Sequence, residues 1–300
     1  MSRTPVRCVI VGARGQLGTA LARTFDLDGE VLPLGHEDLD ILDAAGLRAV
    51  FDRLRPTHVL NTAAWNLVDR AETDREAAFA LNAGAVGTLA EACQRLGATL
   101  VHFSTDYVFD GRRRTPYAED DAPNPLSIYG ESKLAGERLA LERCERAFVV
   151  RVCGLFGLAA SPRATNFVET MLRLAAAGRP IRVVADQVLT PSYTVDLARK
   201  VWRVLGRGRP GLYHLTSAGQ TSWYDFAAAV FRLGGVTADL APTTAEAYGA
   251  PARRPAYSVL AHTRLAEMGE DDLRPWDAAL AAYLAERAPA VSPRTAPAGS

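Results

Sequence analysis

Short apolar runs alternate with stretches of helical periodicity through the first half of the chain. Residues 6–11 are apolar apart from Arg7 and end at Gly12, which predicts a buried strand, and 16–25 follow as a helix. A second strand is predicted at 30–34. Residues 44–54 place Leu47, Val50, Phe51 and Leu54 at helical spacing. A third strand at 57–61 leads to a long helix over 77–96, stopped by Gly97. A fourth strand at 99–103, a helix over 129–143 and a fifth strand at 148–152 complete the pattern. Strands that are apolar throughout and alternate with helices make βαβ units of a parallel sheet covered on both faces. Past Arg151 the rhythm loosens, with helices predicted at 167–177, 195–205, 223–233 and 278–287 and a strand at 180–184.

The turn between the first strand and helix reads Gly12-Ala13-Arg14-Gly15-Gln16-Leu17-Gly18. Glycines allow a tight turn and let the backbone approach a pyrophosphate at a helix N-terminus. A plain strand–helix turn would also use them. Their place after an apolar strand at the chain start favours dinucleotide binding. The fold class follows: α/β, a Rossmann-like doubly wound parallel sheet with a smaller C-terminal substrate-binding region. An NAD(P)-binding domain is expected over 1–151 and a mainly substrate-binding region over 152–288. Segments near 180–215 should return to the sheet, and the Pro- and Ala-rich 289–300 should be a disordered tail.

NAD preference would place a carboxylate at the end of the second strand to accept the ribose hydroxyls. Leu34 is followed instead by Gly35-His36, and Arg14 lies in the glycine loop. That favours the 2′-phosphate of NADP(H), with NAD(H) as the alternative because Glu37 or Asp38 could reach round. Asp40 and Ile41 would flank the adenine, and Ala63 and Ala64 would face the cofactor. Ordinary sheet packing would produce the same apolar contact.

Ser104-Thr105-Asp106-Tyr107 follows the fourth strand, and Tyr129-Gly130-Glu131-Ser132-Lys133 opens the next helix. A tyrosine and a lysine four residues apart share one helix face. The ammonium should lower the phenol's pKa from about 10 towards neutrality, fitting it to donate a proton to a carbonyl oxygen as hydride arrives at carbon. Thr105 could hydrogen-bond the same oxygen. Alone, this spacing is as easily a solvated helix face. Combined with the glycine loop and with Ser104-Thr105 at the end of an intervening strand, it is no chance match.

Composition narrows the partners. Lys+Arg and Asp+Glu both number 34, so nothing points to nucleic acid or an anionic membrane. No apolar run approaches the ~20 residues of a membrane span. With no export signal, a cytoplasmic location is expected. The four cysteines form no CxxC pair and read as buried reduced thiols.

The glycine spacing and the Thr105, Tyr129 and Lys133 set resemble the extended short-chain dehydrogenase/reductases. Longer stretches resemble the dTDP-4-dehydrorhamnose reductase family within them. Among these are Asn61-Thr62-Ala63-Ala64, Val68-Asp69-Arg70-Ala71-Glu72, Ser104-Thr105-Asp106-Tyr107-Val108-Phe109-Asp110-Gly111, Asn166-Phe167, Asp186-Gln187 and Arg253-Arg254-Pro255 with Ser258.

The resemblance implies reduction of the C4 keto group of a nucleotide-linked 6-deoxysugar, dTDP-4-dehydro-L-rhamnose giving dTDP-L-rhamnose. It makes Tyr129 the acid, gives Lys133 the nicotinamide ribose, and has Thr105 orient the substrate. Substrate contacts are expected from Thr105, Asp106, Asn166, Arg253 and Arg254. Either arginine could meet the diphosphate, or lie in a solvated loop. Trp223 or Tyr257 could contact base or sugar, Trp223 being more simply a core residue.

The chain departs from the family where Gly154 stands in place of a tryptophan, which alters the sugar pocket. Trp65-Asn66 could refill that space. Thr19-Ala20 stand where some members carry a glutamate used in metal-linked dimers, so no metal is expected, and a homodimer stays open. Asp106 is followed by Tyr107 and not by the glutamate of the 4,6-dehydratases, which argues against elimination. An epimerase is harder to exclude. The alternatives are a reductase of another keto-deoxysugar nucleotide, and a non-catalytic NADP-binding subunit like the regulatory subunit of methionine adenosyltransferase.

Overall fold

The computed structural model describes residues 5–25, 27–161 and 165–287. The expected 289–300 tail lies outside the described residues. Six parallel strands form the central sheet: β1 (Val6–Val11), β2 (Gly29–Leu34), β3 (His58–Asn61), β4 (Thr99–Thr105), β5 (Ala147–Val152) and Gly211–His214. Their order is Gly211–His214, β5, β4, β3, β1, β2. Strand alternation sends Cys8 and Ile10 to one face, where they join Val101, Val150 and Trp202. Val9 and Val11 face the other way, among Phe51, Val59, Leu89 and Val149. Burial on both faces explains why the strands read as continuous apolar runs.

Successive connections run to opposite sides of β1, so the chain reverses direction between β1 and β3. Open α/β sheets bind ligands beyond the strand ends at such a reversal. The glycine loop follows β1 and Thr62-Ala63-Ala64 follow β3, which puts both at that crevice.

Of the 180–215 segment, Gly211–His214 pairs with β5, but β6 (Ile181–Val184) does not reach the sheet. It pairs instead with Leu240–Thr243 in a separate two-stranded sheet. Taking Gly211–His214 as β7 and Leu240–Thr243 as β8, β6 and β8 belong to a smaller aromatic-rich core that holds Phe156, Phe226 and Tyr283.

The helix expected over 77–96 is not continuous. Arg75–Phe79 passes through a wide π turn at Ala80–Gly84 into Ala85–Leu96. Asn82, inside the turn, accepts from the Trp65 amide at 2.9 Å and donates to the Trp65 carbonyl and to the Ser132 hydroxyl, each at 3.0 Å. The bulge presses on the helix that carries Tyr129 and Lys133: a Cβ on Gly136 would lie 2.0 Å from the Asn82 carbonyl oxygen. Among the described residues, no helix is long and apolar enough to cross a membrane.

His214 at the end of β7 is fully enclosed, and its ring meets the Arg151 guanidinium at 3.3 Å. Burial, then Arg151, pushes its pKa down to about 3. The unfolded chain binds this proton near pH 6.5, whereas the folded chain does not until about 3. Stability is therefore lost as pH falls through that window. Urea midpoints should drop between pH 7 and pH 5, and less so in His214→Gln. Equal drops in the two proteins would contradict the assignment.

Candidate active site

Ser127 accepts from the Gly130 amide at 3.2 Å and caps the helix Ile128–Arg143. That cap fixes where the helix starts, so Tyr129 lies in its first turn and Lys133 one turn on. Both reach a cavity of about 390 Å³ whose opposite wall is the glycine loop, from Gly15 to Gly18. Thr105 and Asp106, at the end of β4, line the same space, as do Ala64 and Asn66 beyond β3. Gly12 turns the chain out of β1 with φ +74°, and a Cβ there would lie 2.7 Å from the Ala63 amide nitrogen. Gly15 caps the first helix without any side-chain hydrogen bond, so no side chain caps the first-turn N–H groups of the helix that lines the cavity. These bare donors and close backbone approaches fit a dinucleotide pyrophosphate.

The electrostatics of the tyrosine differ from expectation. The Lys133 ammonium donates to the Phe103 carbonyl at 2.6 Å instead of acting on the phenol. Burial is the main influence on Tyr129, with Asp106 adding to it and a Thr105 hydrogen bond opposing, and its pKa rises to about 12. The phenol is therefore neutral at physiological pH, which is the form a proton donor needs. Burial also lowers the Lys133 pKa to about 8, against the pull of Glu137.

A second cavity of about 770 Å³ adjoins the first and shares Val68, Tyr107, Gln187 and Trp223 with it. Arg182, Arg253 and Tyr248 stand around this space. Tyr248 is 60% exposed, an unusual state for a large ring.

A family profile described as the RmlD substrate binding domain matches residues 6–288. The chain belongs to this family. One relative of the RmlD domain family, a dTDP-4-dehydrorhamnose reductase of Streptomyces griseus, is 41% identical, with 91% of each chain covered. Another is named a probable dTDP-4,6-dihydroxy-2-methyloxan-3-one 4-ketoreductase of Streptomyces antibioticus. It is 45% identical, covering 92% of this chain and 93% of that protein. The crystal structure of dTDP-4-dehydrorhamnose reductase from Bacillus anthracis in complex with NADP superposes with a TM-score of 0.90. It is 35% identical, with 94% of this chain and 100% of that chain covered.

Within this RmlD-family fold several expected site residues do other work. Arg254 is held by Asp69 through two hydrogen bonds of 3.0 Å, which already match its charge. Arg253 lines the larger cavity without an ion pair to any described carboxylate. Asn166 lines neither cavity. It caps the helix Phe167–Ala176, accepting from the Glu169 amide at 3.0 Å, and it donates to Gln16 at 3.3 Å. Ile41 is packed in the core beside Leu39 and Leu47, and Asp40 is exposed and accepts from the Leu42 amide.

Trp223 is no simple core residue. It rests on Phe167 at 4.7 Å yet faces both cavities. Asp106, expected to bind substrate, is 3% exposed, and both its carboxyl oxygens are engaged by protein hydroxyl and thiol groups.

Gly154 also lines the smaller cavity, with φ +52°. A Cβ there would meet Leu189 Cδ1 and Pro191 Cα at 3.1 Å, so position 154 is strained and crowded for any side chain. Trp65 does not fill the gap. Its ring lies beneath Arg70, 5.7 Å from the guanidinium carbon, and only Asn66 of the pair reaches the cavity.

The reading of the sequence missed Asp69, Cys153 and Ser258. Asp69 and Ser258 stood in the quoted stretches, but spacing alone assigns them no partner.

Proposed function

We propose that this chain catalyses NAD(P)H-dependent reduction of the C4 keto group of a nucleotide-linked 6-deoxysugar, with dTDP-4-dehydro-L-rhamnose as substrate and NADPH as preferred donor. One observation carries this reading: the neutral Tyr129 phenol and its Thr105 partner line a cavity against the glycine loop, and the adjoining cavity bears Arg253, which makes no ion pair with any described carboxylate. A nicotinamide cofactor bound in the first cavity supplies the hydride. Lys133 holds its ribose, Thr105 orients the keto oxygen, and Tyr129 protonates it. Arg253 receives the sugar diphosphate, while Trp223 and Tyr248 offer flat faces to sugar or base. The intact Thr105, Tyr129 and Lys133 set weighs against a purely regulatory subunit.

The test is a panel of keto-sugar nucleotides assayed for NADPH and NADH oxidation. Turnover confined to 4-keto-6-deoxysugars supports the reading, and no oxidation with any keto sugar overturns it. A second reading, a reductase of a different keto-deoxysugar, is favoured by the bare wall at Gly154 and by the ketoreductase name of the Streptomyces antibioticus relative.

The exposed Arg14–Glu37 ion pair beside the glycine loop bears on cofactor choice. Arg14 suits a 2′-phosphate, whereas Glu37 suits ribose hydroxyls and neutralises Arg14. Glu37→Gln should raise the NADPH/NADH ratio of kcat/KM by about three- to fivefold, the scale of an exposed pair. A ratio that stays put or falls would remove Glu37 from cofactor selection.

A further inference from the structure

We infer that Asn166 is a positioning residue for hydride transfer, holding the wall of the larger cavity in register with the glycine loop. This rests on the reductase reading above.

The Asn166 side chain is buried, and both ends of its carboxamide are engaged. Oδ1 accepts from the Glu169 amide at 3.0 Å, and an amide N–H can only donate, so the nitrogen end must point the other way. There Nδ2 donates to the Gly157 carbonyl at 3.2 Å, and to Gln16 Oε1 and the Tyr283 hydroxyl at 3.3 Å each. Turning the carboxamide over would strand buried partners on both sides.

These partners belong to different walls. Gln16 lies in the glycine loop and lines the smaller cavity. Gly157 closely follows Gly154 and Leu155, which line the same cavity from the side of β5. Glu169 is in the first turn of the helix Phe167–Ala176, whose Phe167 and Met171 line the larger cavity. Phe167 in turn supports Trp223, the ring that faces both cavities. The junction is reinforced on either side of Asn166. Gln16 Nε2 donates to the Thr165 carbonyl at 3.2 Å, and the Ser161 amide donates to the Arg14 carbonyl at 3.0 Å. The loop that meets the cofactor and the helix that meets the sugar nucleotide are thus joined by side chains 150 residues apart.

The consequence is geometric. Hydride transfer requires the two carbons to approach to about 3–3.5 Å, and a misplacement of about 1 Å costs on the order of 100-fold in rate. The glycine loop places the cofactor, and the larger cavity places the sugar nucleotide. Asn166 fixes one against the other without touching either. Its two ends do separable work: Oδ1 starts the helix, and Nδ2 sets where that helix stands. Serine at 166 keeps a capping oxygen and loses the amide donor.

Asn166→Ser and Asn166→Ala, assayed by NADPH oxidation with dTDP-4-dehydro-L-rhamnose, separate these roles. Asn166→Ser should melt above Asn166→Ala because the cap survives, yet its kcat should fall at least about tenfold. Its Kd for NADPH should stay within about threefold of wild type, because the backbone donors of the loop are untouched. Recovery of kcat along with melting temperature in the serine variant would make Asn166 a helix cap alone and overturn the proposal. Gln16→Met combined with Asn166→Ser should lose no more kcat/KM than the worse single variant, because both cut one link. Losses that multiply overturn it. Should Asn166→Ser not fold, Gln16→Met decides: at saturating NADPH its kcat should fall at least about fivefold, and an unchanged kcat overturns the proposal. A wild type that oxidises no NADPH with any keto sugar defeats the reductase reading and this proposal with it. An active wild type beside an equally active Asn166→Ser defeats the proposal alone.

Discussion

Tyr129→Phe should lower kcat by about 10²–10⁴-fold while the dissociation constant for NADPH stays within about twofold. The reasoning starts from what the hydroxyl touches. Its protein partner is Thr105, and the lysine assigned to the cofactor ribose is anchored separately, on the Phe103 carbonyl. Removing the hydroxyl therefore takes away the proposed proton donor and leaves the ring and Lys133 in place. The phenol's pKa of about 12 sharpens the expectation. Ionisation of Tyr129 should not limit the free enzyme near neutrality, so wild-type kcat/KM should show no alkaline loss that Tyr129→Phe removes. Single-turnover fluorescence of NADPH separates binding from hydride transfer. Retained turnover, or loss of cofactor binding matching the loss of rate, would take the acid role from this residue.

The same site shows how far sequence patterns reach. The strand–helix alternation, the glycine loop and the Tyr129/Lys133 spacing are local or nearly so, and period and turn chemistry make them readable. The Arg254–Asp69 ion pair was not legible because the two lie 185 residues apart, and a long-range ion pair leaves no mark in spacing. Tyr129 was misjudged in a subtler way. Proximity in sequence made Lys133 look like its electrostatic partner, but burial dominates, and the ammonium is turned to a carbonyl.

The capping role of Asn166 was legible in the sequence. An asparagine three residues before Glu169, ahead of an apolar helical run, is a helix-start signal, and the structure uses it as one. The π turn at Ala80–Gly84 leaves the apolar periodicity nearly intact, which hides it from any pattern analysis.

Arg151→Met should destabilise the protein by about 3–5 kcal/mol, the range for stripping a buried charge of its partner. Glu137 lies on the Tyr129/Lys133 helix one turn beyond Lys133, with its carboxylate 4% exposed. Arg151 on β5 donates to it twice, at 2.8 and 2.7 Å, and Ser104 donates at 2.5 Å. The same guanidinium reaches His214 on β7 and lies over the Phe109 ring. One buried cluster thus ties the helix to β4, β5 and β7, which makes it a clamp on the site as well as a stability element. With methionine at 151, Glu137 must take up a proton or draw in water, and Ser104 alone cannot satisfy it. Urea unfolding measures the loss. The double variant Arg151→Met/Glu137→Leu should recover at least half of it, because no charge is then left unpaired. Equal losses in the single and double variants would mean that packing around Phe109, and not the ion pair, holds the helix to the sheet.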